Sequence, residues 1–210
     1  MLPLLPLNLV VYPNEKLNLH IFEPRYLQLV NECFAQQITF GIPAFIDDKI
    51  EKYGTEVRIL SLEKTYEDGR MDIRTEGLRV FHLLKFDNPV ANKLYAGGIV
   101  EFMEEGTYQG ASEKLTTDIL NKINKLYSLL QLKLDVNIER IQYLSYEIAH
   151  RVGLSVEQEY EVLTTATEAE RQQYLLTHLE RVIPIVADME KTKKRIRMNG
   201  HFKTFDALNF

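Results

Sequence analysis

The stretch Leu17-Asn-Leu-His-Ile-Phe-Glu-Pro-Arg-Tyr26 joins two patterns that together decide the fold. Its first half alternates apolar and polar residues, as a strand with one buried face does. Pro24 then suits the first turn of a helix, where a missing N–H costs nothing, and Glu23 lies favourably near the positive end of the helix dipole. The stretch therefore predicts a half-buried strand that leads directly into a helix.

The helix that begins at Pro24 is predicted to run for about three turns. Its apolar residues recur at helical spacing and are Tyr26, Leu29, Val30, Cys33 and Phe34. Cys33 lies on this stripe, so we expect it to be buried and inert rather than a nucleophile. It is the only cysteine, which excludes an intramolecular disulfide and favours a reducing compartment.

Short strands are predicted on both sides of this helix. Residues 38–46 have a strand pattern in which Pro43 indicates an edge or a bulge. Asp47-Asp48 predicts a solvated turn rather than a cation site, and Glu67-Asp68-Gly69-Arg70 predicts a hairpin turn because Asp and Gly both tolerate positive φ. Such strands with one inserted helix predict a small closed or nearly closed barrel over residues 1–106. Gly54 and Gly77 are expected to permit turns within it.

After residue 106 the apolar period becomes helical. Ser155-Val-Glu-Gln158 and Thr167-Glu-Ala-Glu170 are capping boxes, each of which predicts the start of a helix. Pro184 lies inside the last apolar stripe and is expected to kink that helix or end its first segment. We therefore predict a bundle of about four helices over residues 111–198. A tail at 199–210 follows, which we expect to dock because it carries Phe202, Phe205, Leu208 and Phe210.

The sequence lacks the motifs of the common enzyme classes. It has no P-loop, no GxSxG elbow and no HExxH pair, and one cysteine cannot build a Cys-rich zinc site. We therefore expect no catalytic residue, no metal and no cofactor. The net charge of -5 argues against general recruitment of nucleic acid or anionic lipid. No apolar run approaches the length of a spanning helix, and the opening Met1–Leu7 has no basic leader, so we expect a cytoplasmic protein without membrane contact.

Several motifs, taken in order, resemble the N-terminal substrate-binding domain of Lon proteases, especially the stand-alone bacterial members. Residues 4–7, 10–13 and 17–26 are similar to the opening of that domain. Its later landmarks have counterparts in Phe40-Gly-Ile42, Tyr53-Gly-Thr55, Asp68-Gly-Arg70, Thr75–Phe81 and Ile148–Glu157. The resemblance spans about residues 1–185. It implies an α+β fold, a PUA-like β pseudo-barrel with one inserted helix followed by an α-helical bundle.

The resemblance also implies a function. It favours a non-catalytic module that binds unfolded or exposed protein segments or regulates a protease, because the ATPase and Ser-Lys peptidase parts of Lon are missing from the sequence. Glu23, Arg25, Tyr26 and Arg79 are the candidate substrate contacts, although a purely structural role explains them as well. Two alternatives remain: RNA binding, as in other PUA-like proteins, and a small-molecule pocket in the barrel. The basic run from Lys191 to Lys203 is compatible with RNA binding but is more typical of a solvated helix end, and the acidic composition disfavours RNA.

Overall fold

A computed structural model of the protein describes residues 1–103, 112–134 and 143–201. Within these ranges the chain forms six strands and five helices, an α+β fold as predicted. The strands are β1 (Leu2–Leu4), β2 (Lys16–Ile21), β3 (Phe40–Ile46), β4 (Lys49–Thr65), β5 (Met71–Asp87) and β6 (Ala96–Phe102). The helices are α1 (Pro24–Gln36), α2 (Glu113–Leu129), α3 (Leu144–Ala149), α4 (Val156–Thr164) and α5 (Glu168–His201).

The six strands form one mixed sheet in the order β2-β5-β4-β3-β1-β6, and β6 also pairs with β5. The β1–β3 pair is parallel, whereas the other pairs are antiparallel. The sheet therefore turns back on itself through β5, β4, β3, β1 and β6, while β2 stays outside that ring. It is not a strict barrel, which refines the predicted pseudo-barrel.

The long strands β4 and β5 change partners along their length. Residues 49–57 of β4 pair with β3, and residues 81–87 of β5 pair with β6. Residues 71–76 of β5 pair instead with β2 and with the distal half of β4. We call β1, β3, β6, residues 49–57 and residues 77–87 the closed part. We call β2, residues 58–65 and residues 71–76 the ribbon.

Local sequence signals account for most of the element boundaries. Pro24 occupies the first turn of α1, as predicted. The register of β3 shifts between Pro43 and Phe45, which confirms a bulge. Asp47 and Asp48 form the exposed β3–β4 turn with φ of 48° and 59°, and Gly69 has φ of 86° in the β4–β5 turn. Both predicted turns are therefore confirmed.

The first core cluster lies between α1 and the inward face of the sheet. Helix α1 contributes Tyr26, Leu29, Val30 and Cys33, and the ribbon contributes Ile21, Met71 and Ile73. Cys33 is 1% exposed, and burial raises the pKa of its thiol to about 12. The thiol is therefore protonated and inert at neutral pH, as expected.

The expectation that Gly54 and Gly77 permit turns is wrong. Both lie inside strands, Gly54 in β4 and Gly77 in β5. A Cβ at Gly77 would lie 2.1 Å from the carbonyl oxygen of Tyr12, and one at Gly54 would lie 2.4 Å from that of Ile42. These glycines therefore allow two backbones to approach closely, a role that a single sequence does not distinguish from a turn.

The chain divides into two compact units. Among the described residues, the sheet unit comprises 1–103 and 146–166, and the second unit comprises 112–134, 143–145 and 167–201. In the sheet unit α4 contacts β3 and β4. The predicted division into 1–106, 111–198 and 199–210 stays a prediction, but α4 and most of α3 group with the strands rather than with the other helices.

In the second unit α2 packs against α5. The buried apolar residues of the two helices are Ile119, Ile123, Leu126, Leu175, Leu179 and Ile183. Helix α5 does not end at Pro184, which lies inside it. The Thr167 capping box is confirmed by hydrogen bonds in both directions between Thr167 and Glu170. The predicted docking of residues 202–210 falls outside the described residues.

A buried ion pair also lies in this unit. Arg171 and Glu168 are each 5% exposed, and their charged atoms lie 3.1 Å apart. Ser145 donates both its backbone N–H and its hydroxyl to the same carboxylate. The carboxylate is thus fully engaged, which is what makes a buried charge tolerable.

Candidate functional site

Three aromatic rings lie together on the outward face of the ribbon. The ring of His20 stacks on Phe22 with centroids 6.0 Å apart and meets Tyr66 edge-on at 5.7 Å. Phe22 is 60% exposed. We call His20, Phe22 and Tyr66 the aromatic patch.

The alternation of β2 places this patch. Leu17, Leu19 and Ile21 face the core, so Asn18 and His20 must face outward. Phe22 directly follows the strand at the same parity as His20, and its high exposure agrees with an outward position. The sequence therefore contained a signal for Phe22, because it ends the alternating stretch on the polar side, but the helix that follows drew the prediction to residues 23–26.

Asp72 holds two rings of the patch, those of His20 and Tyr66, in place. It lies opposite His20 in the β2–β5 register. Its carboxylate accepts hydrogen bonds from His20 Nδ1 at 2.6 Å and from the Tyr66 hydroxyl at 2.7 Å. These bonds lower the pKa of Asp72, and the bond from Tyr66 raises the pKa of the tyrosine. The carboxylate therefore stays charged and the phenol neutral, which preserves both bonds at neutral pH.

Cations border the patch. Lys64 Nζ lies 4.3 Å from the centroid of the Tyr66 ring, and Arg70 Cζ lies 5.3 Å from it. Arg70 also pairs with Asp68 at 2.7 Å. The patch is thus an exposed apolar surface with a partly cationic rim, which suits apolar side chains and nearby acidic groups.

The predicted contacts Glu23, Arg25 and Tyr26 follow the patch in the chain. Glu23 is the N-cap of α1 without capping through its side chain, and it pairs with Arg25 at 2.8 Å. The guanidinium of Arg25 lies 4.4 Å over the ring of Tyr26. Tyr26 is 8% exposed and packs in the core, so it anchors α1 more than it offers a surface. Substrate contact by Glu23, Arg25, Tyr26 and Arg79 stays a prediction.

Arg79 makes its contacts elsewhere, in the closed part. Its Nε donates to Glu56 at 2.7 Å, and its guanidinium lies 3.5 Å from the centroid of the Phe102 ring. It borders a groove of about 380 Å³. The lining residues are Asn14, Glu56, Arg58, Glu76, Leu78 and Arg79. Both arginines there are already paired, since Arg58 bonds to Glu76 at 2.8 Å, so the groove is a charge-balanced surface rather than an anion site.

A polar cluster lies where the loop before β2 meets α3 and α4. Tyr12 stacks on Tyr146 at 4.9 Å and meets His150 at 4.7 Å, and its hydroxyl donates to the carbonyl of Glu159 at 2.9 Å. His150 bonds to Glu159 at 2.7 Å and to Glu15 at 3.2 Å. Burial alone would lower the pKa of His150, but the two carboxylates outweigh it and raise that pKa to about 9. This cluster fastens α3 and α4 to the loop before β2, a structural role.

Two kinds of site are not found in the described residues. No group of three or more His, Cys, Asp or Glu side chains in residues 1–103, 112–134 and 143–201 is placed to hold a metal ion. None of the helices in the same ranges is both long and apolar enough to cross a membrane. The predicted cytoplasmic location stays a prediction.

The described residues thus form an α+β domain whose ribbon borders an exposed aromatic patch. The family model of the ATP-dependent protease La (LON) substrate-binding domain matches residues 1–181. The chain therefore belongs to the Lon substrate-binding domain family, which binds protein substrates. The matched family covers the substrate-binding domain alone, with neither the ATPase nor the peptidase of Lon.

The solved structures that are similar to this chain include two Lon N-terminal domains. The Lon N-terminal domain protein from Xanthomonas campestris is 26% identical, with a TM-score of 0.66, and the match covers 84% of this chain and 96% of that one. The N-terminal domain of the Mycobacterium avium complex Lon protease is 15% identical, with a TM-score of 0.63, and the match covers 85% and 97% of the two chains. The second likeness supports the fold alone. No curated protein sequence matches the chain.

Proposed function

We propose that this protein is a non-catalytic module that binds unfolded or exposed protein segments through the aromatic patch. The observation that carries the proposal is Phe22, which is 60% exposed and directly follows the edge strand β2. A soluble surface that keeps such a ring exposed, bordered by His20 and Tyr66, is suited to transient contact with apolar side chains. Membership of a family that binds protein substrates supports the same function.

The chemistry of the patch suits many sequences rather than one. Covering an exposed phenylalanine ring contributes about 1.5–3 kcal/mol, and it requires an apolar side chain of no particular shape. Lys64 and Arg70 on the rim add attraction for acidic residues in the same segment. We therefore expect weak, reversible binding. Folded proteins should bind poorly, because their apolar residues are buried.

Binding to a permanently unfolded probe tests the proposal. The probe is a reduced and carboxymethylated protein carrying a fluorescent label, and the competitor is the same protein in its folded, disulfide-bonded form. We expect the anisotropy of the probe to rise with added parent protein, in the absence of ATP, and the folded form to compete poorly. Phe22→Ser should weaken this binding about tenfold, as expected for the loss of one aromatic anchor.

The matched control is Phe34→Ser, on α1. Phe34 is also a surface phenylalanine, 45% exposed, but it lies outside the aromatic patch. Equal losses from the two substitutions would show that general surface hydrophobicity, and not the patch, captures the probe. A single-stranded RNA probe is compared in the same assay. If its binding persists in added salt as well as the binding of the unfolded protein does, the RNA alternative is favoured instead.

A further inference from the structure

Strand β2 has a free edge. It stands at the end of the strand order and pairs only with β5 among the described strands. Its register against β5 is regular over all six residues, from Lys16 opposite Glu76 to Ile21 opposite Met71. An unbroken edge of this kind can accept the backbone of another extended chain.

The hydrogen bonds at the start of the strand show which backbone groups face outward. Gly77 N–H donates to the carbonyl of Glu15 at 2.8 Å, and the Gly77 carbonyl accepts from the N–H of Asn14 at 2.9 Å, so the carbonyl of Glu15 faces β5. Hydrogen-bonded pairs alternate in an antiparallel ladder, so Leu17, Leu19 and Ile21 direct their backbone groups at β5. The Thr75 hydroxyl, which donates to the carbonyl of Leu17, agrees with this parity.

The backbone N–H and C=O groups of the intervening residues, Lys16, Asn18 and His20, therefore point away from β5. The side chains of these three residues are exposed. His20 belongs to the aromatic patch, so the free backbone edge and the patch meet at one residue. A strand added to this edge would carry alternate side chains on the same face as His20 and Phe22.

The other edge of the ribbon is less suited to such pairing. Within residues 58–65 of β4 the register against β5 shifts twice, between Ile59 and Ser61 and between Leu62 and Lys64. Bulges twist and interrupt an edge, and they are a common means of preventing strand addition. The contrast between a bulged edge and a regular edge on one ribbon singles out β2.

Two cations define the charge that an added strand should carry. Lys16 on β2 and Arg74 on β5 are exposed and face outward, at the same parity as His20 and Asp72. Neither forms an ion pair with any residue that the structure describes. They would therefore attract an acidic side chain of the incoming segment.

We propose that a client segment binds by adding as a strand to the free edge of β2, with apolar side chains on the aromatic patch and an acidic side chain near Lys16 and Arg74. The inference rests on the proposed function and names the class of substrate: extended polypeptide with apolar residues at alternate positions. Backbone hydrogen bonds form with any sequence, so strand addition explains how one site binds many unfolded proteins. Folded proteins, whose backbone groups are already paired, cannot add in this way.

Two substitutions at Asn18 distinguish the contribution of its backbone N–H to binding from that of its side chain. Asn18→Pro removes an N–H that faces outward and takes no part in the ladder with β5, and proline is tolerated on a free edge. Asn18→Ala removes the side chain and keeps the N–H. Against the reduced, carboxymethylated probe, we expect Asn18→Pro to weaken binding about tenfold, as for one net backbone hydrogen bond, and Asn18→Ala to change it by less than about twofold.

Amide exchange of the parent protein provides a second measurement that needs no substitution. In the free protein the amides of Leu17, Leu19 and Ile21 should already be protected, because they donate to β5. Addition of the unfolded probe should slow exchange at Lys16, Asn18 and His20, which gives a period of two along the strand.

The possible results are distinct. Probe binding in which Asn18→Pro and Asn18→Ala behave alike, or in which the three outward amides gain no protection, would overturn strand addition and leave the proposed function standing. If Asn18→Pro proves unfolded by circular dichroism, the amide measurement on the parent decides alone. Failure of the parent itself to bind the unfolded probe would overturn the proposed function and this inference together.

Discussion

The closed part and the ribbon are made from the same two long strands, yet they differ in how their edges are paired and how far their side chains are exposed. In the closed part β4 and β5 have partners on both sides, and Gly54 lets a backbone approach where a side chain could not fit. In the ribbon β2 is an edge, and an aromatic ring remains 60% exposed beside it. One strand pair thus supplies both a part with paired neighbours and a part with an exposed edge, and we propose that binding takes place at the exposed edge.

The largest expected effect comes from filling a close approach between two strands of the closed part. A Cβ at Gly54 would lie 2.4 Å from the carbonyl oxygen of Ile42 and 2.7 Å from Phe81, so Gly54→Ala should lower the free energy of unfolding by about 3 kcal/mol. The matched control is Gly69→Ala in the turn of the ribbon, where nothing lies within 4 Å of the new Cβ. There the positive φ alone should cost about 1–2 kcal/mol. Chemical denaturation of both variants checks the order, and equal losses would contradict the distinction between the two regions.

The polar cluster around His150 predicts that the stability of the sheet unit depends on pH. Its folded pKa of about 9 lies above the ordinary value of 6.5, so the protonated ring stabilises the fold. That contribution should be fully present below about pH 6.5 and lost as the pH rises through about 9. The side chain is 33% exposed, so solvent screening reduces the contribution to about 1–2 kcal/mol.

His150→Gln tests this dependence. The difference in denaturation midpoint between the parent and the variant should be large at pH 6 and should shrink toward pH 9.5. A His150 difference that stays constant from pH 6 to 9.5 would show that the histidine acts by packing on Tyr12 rather than by charge.

The smallest effect is expected at the β3–β4 turn. Asp48 has φ of 59°, so Asp48→Gly relieves a backbone cost but adds entropy to the unfolded chain. The two terms nearly cancel, and the free energy of unfolding should change by no more than about 0.5 kcal/mol. Thermal melting resolves such a difference, and a loss of several degrees would mean that the Asp48 side chain has a role beyond the turn.

Local signals in the sequence predicted those features that depend on a few consecutive residues. Pro24 marked the start of α1, Asp-Gly marked the ribbon turn, and Ser155 and Thr167 marked two helix starts, all of which the structure confirms. The motif resemblance likewise predicted the Lon substrate-binding family. Features that require distant residues to meet were not predictable in this way.

The meeting of Tyr12 with His150, and the close approach that explains Gly77, join segments far apart in the chain. The sequence likewise does not indicate that α4 groups with the strands, since its capping box fixes where the helix starts but not what it packs against. Only part of the candidate site could be predicted from the sequence. Residues 23–26 lie next to the patch, whereas Tyr66 comes to His20 only because β2 pairs with β5.

The central claim is that the ribbon, and not the closed part, captures unfolded protein. Hydrogen–deuterium exchange of the full chain, with and without the reduced and carboxymethylated probe, tests it directly. The account predicts that the probe slows exchange in residues 16–22 and 64–72 and leaves β6 and residues 49–57 unchanged. Protection that falls on the closed part, with residues 16–22 unaffected while the probe is bound, would contradict the account.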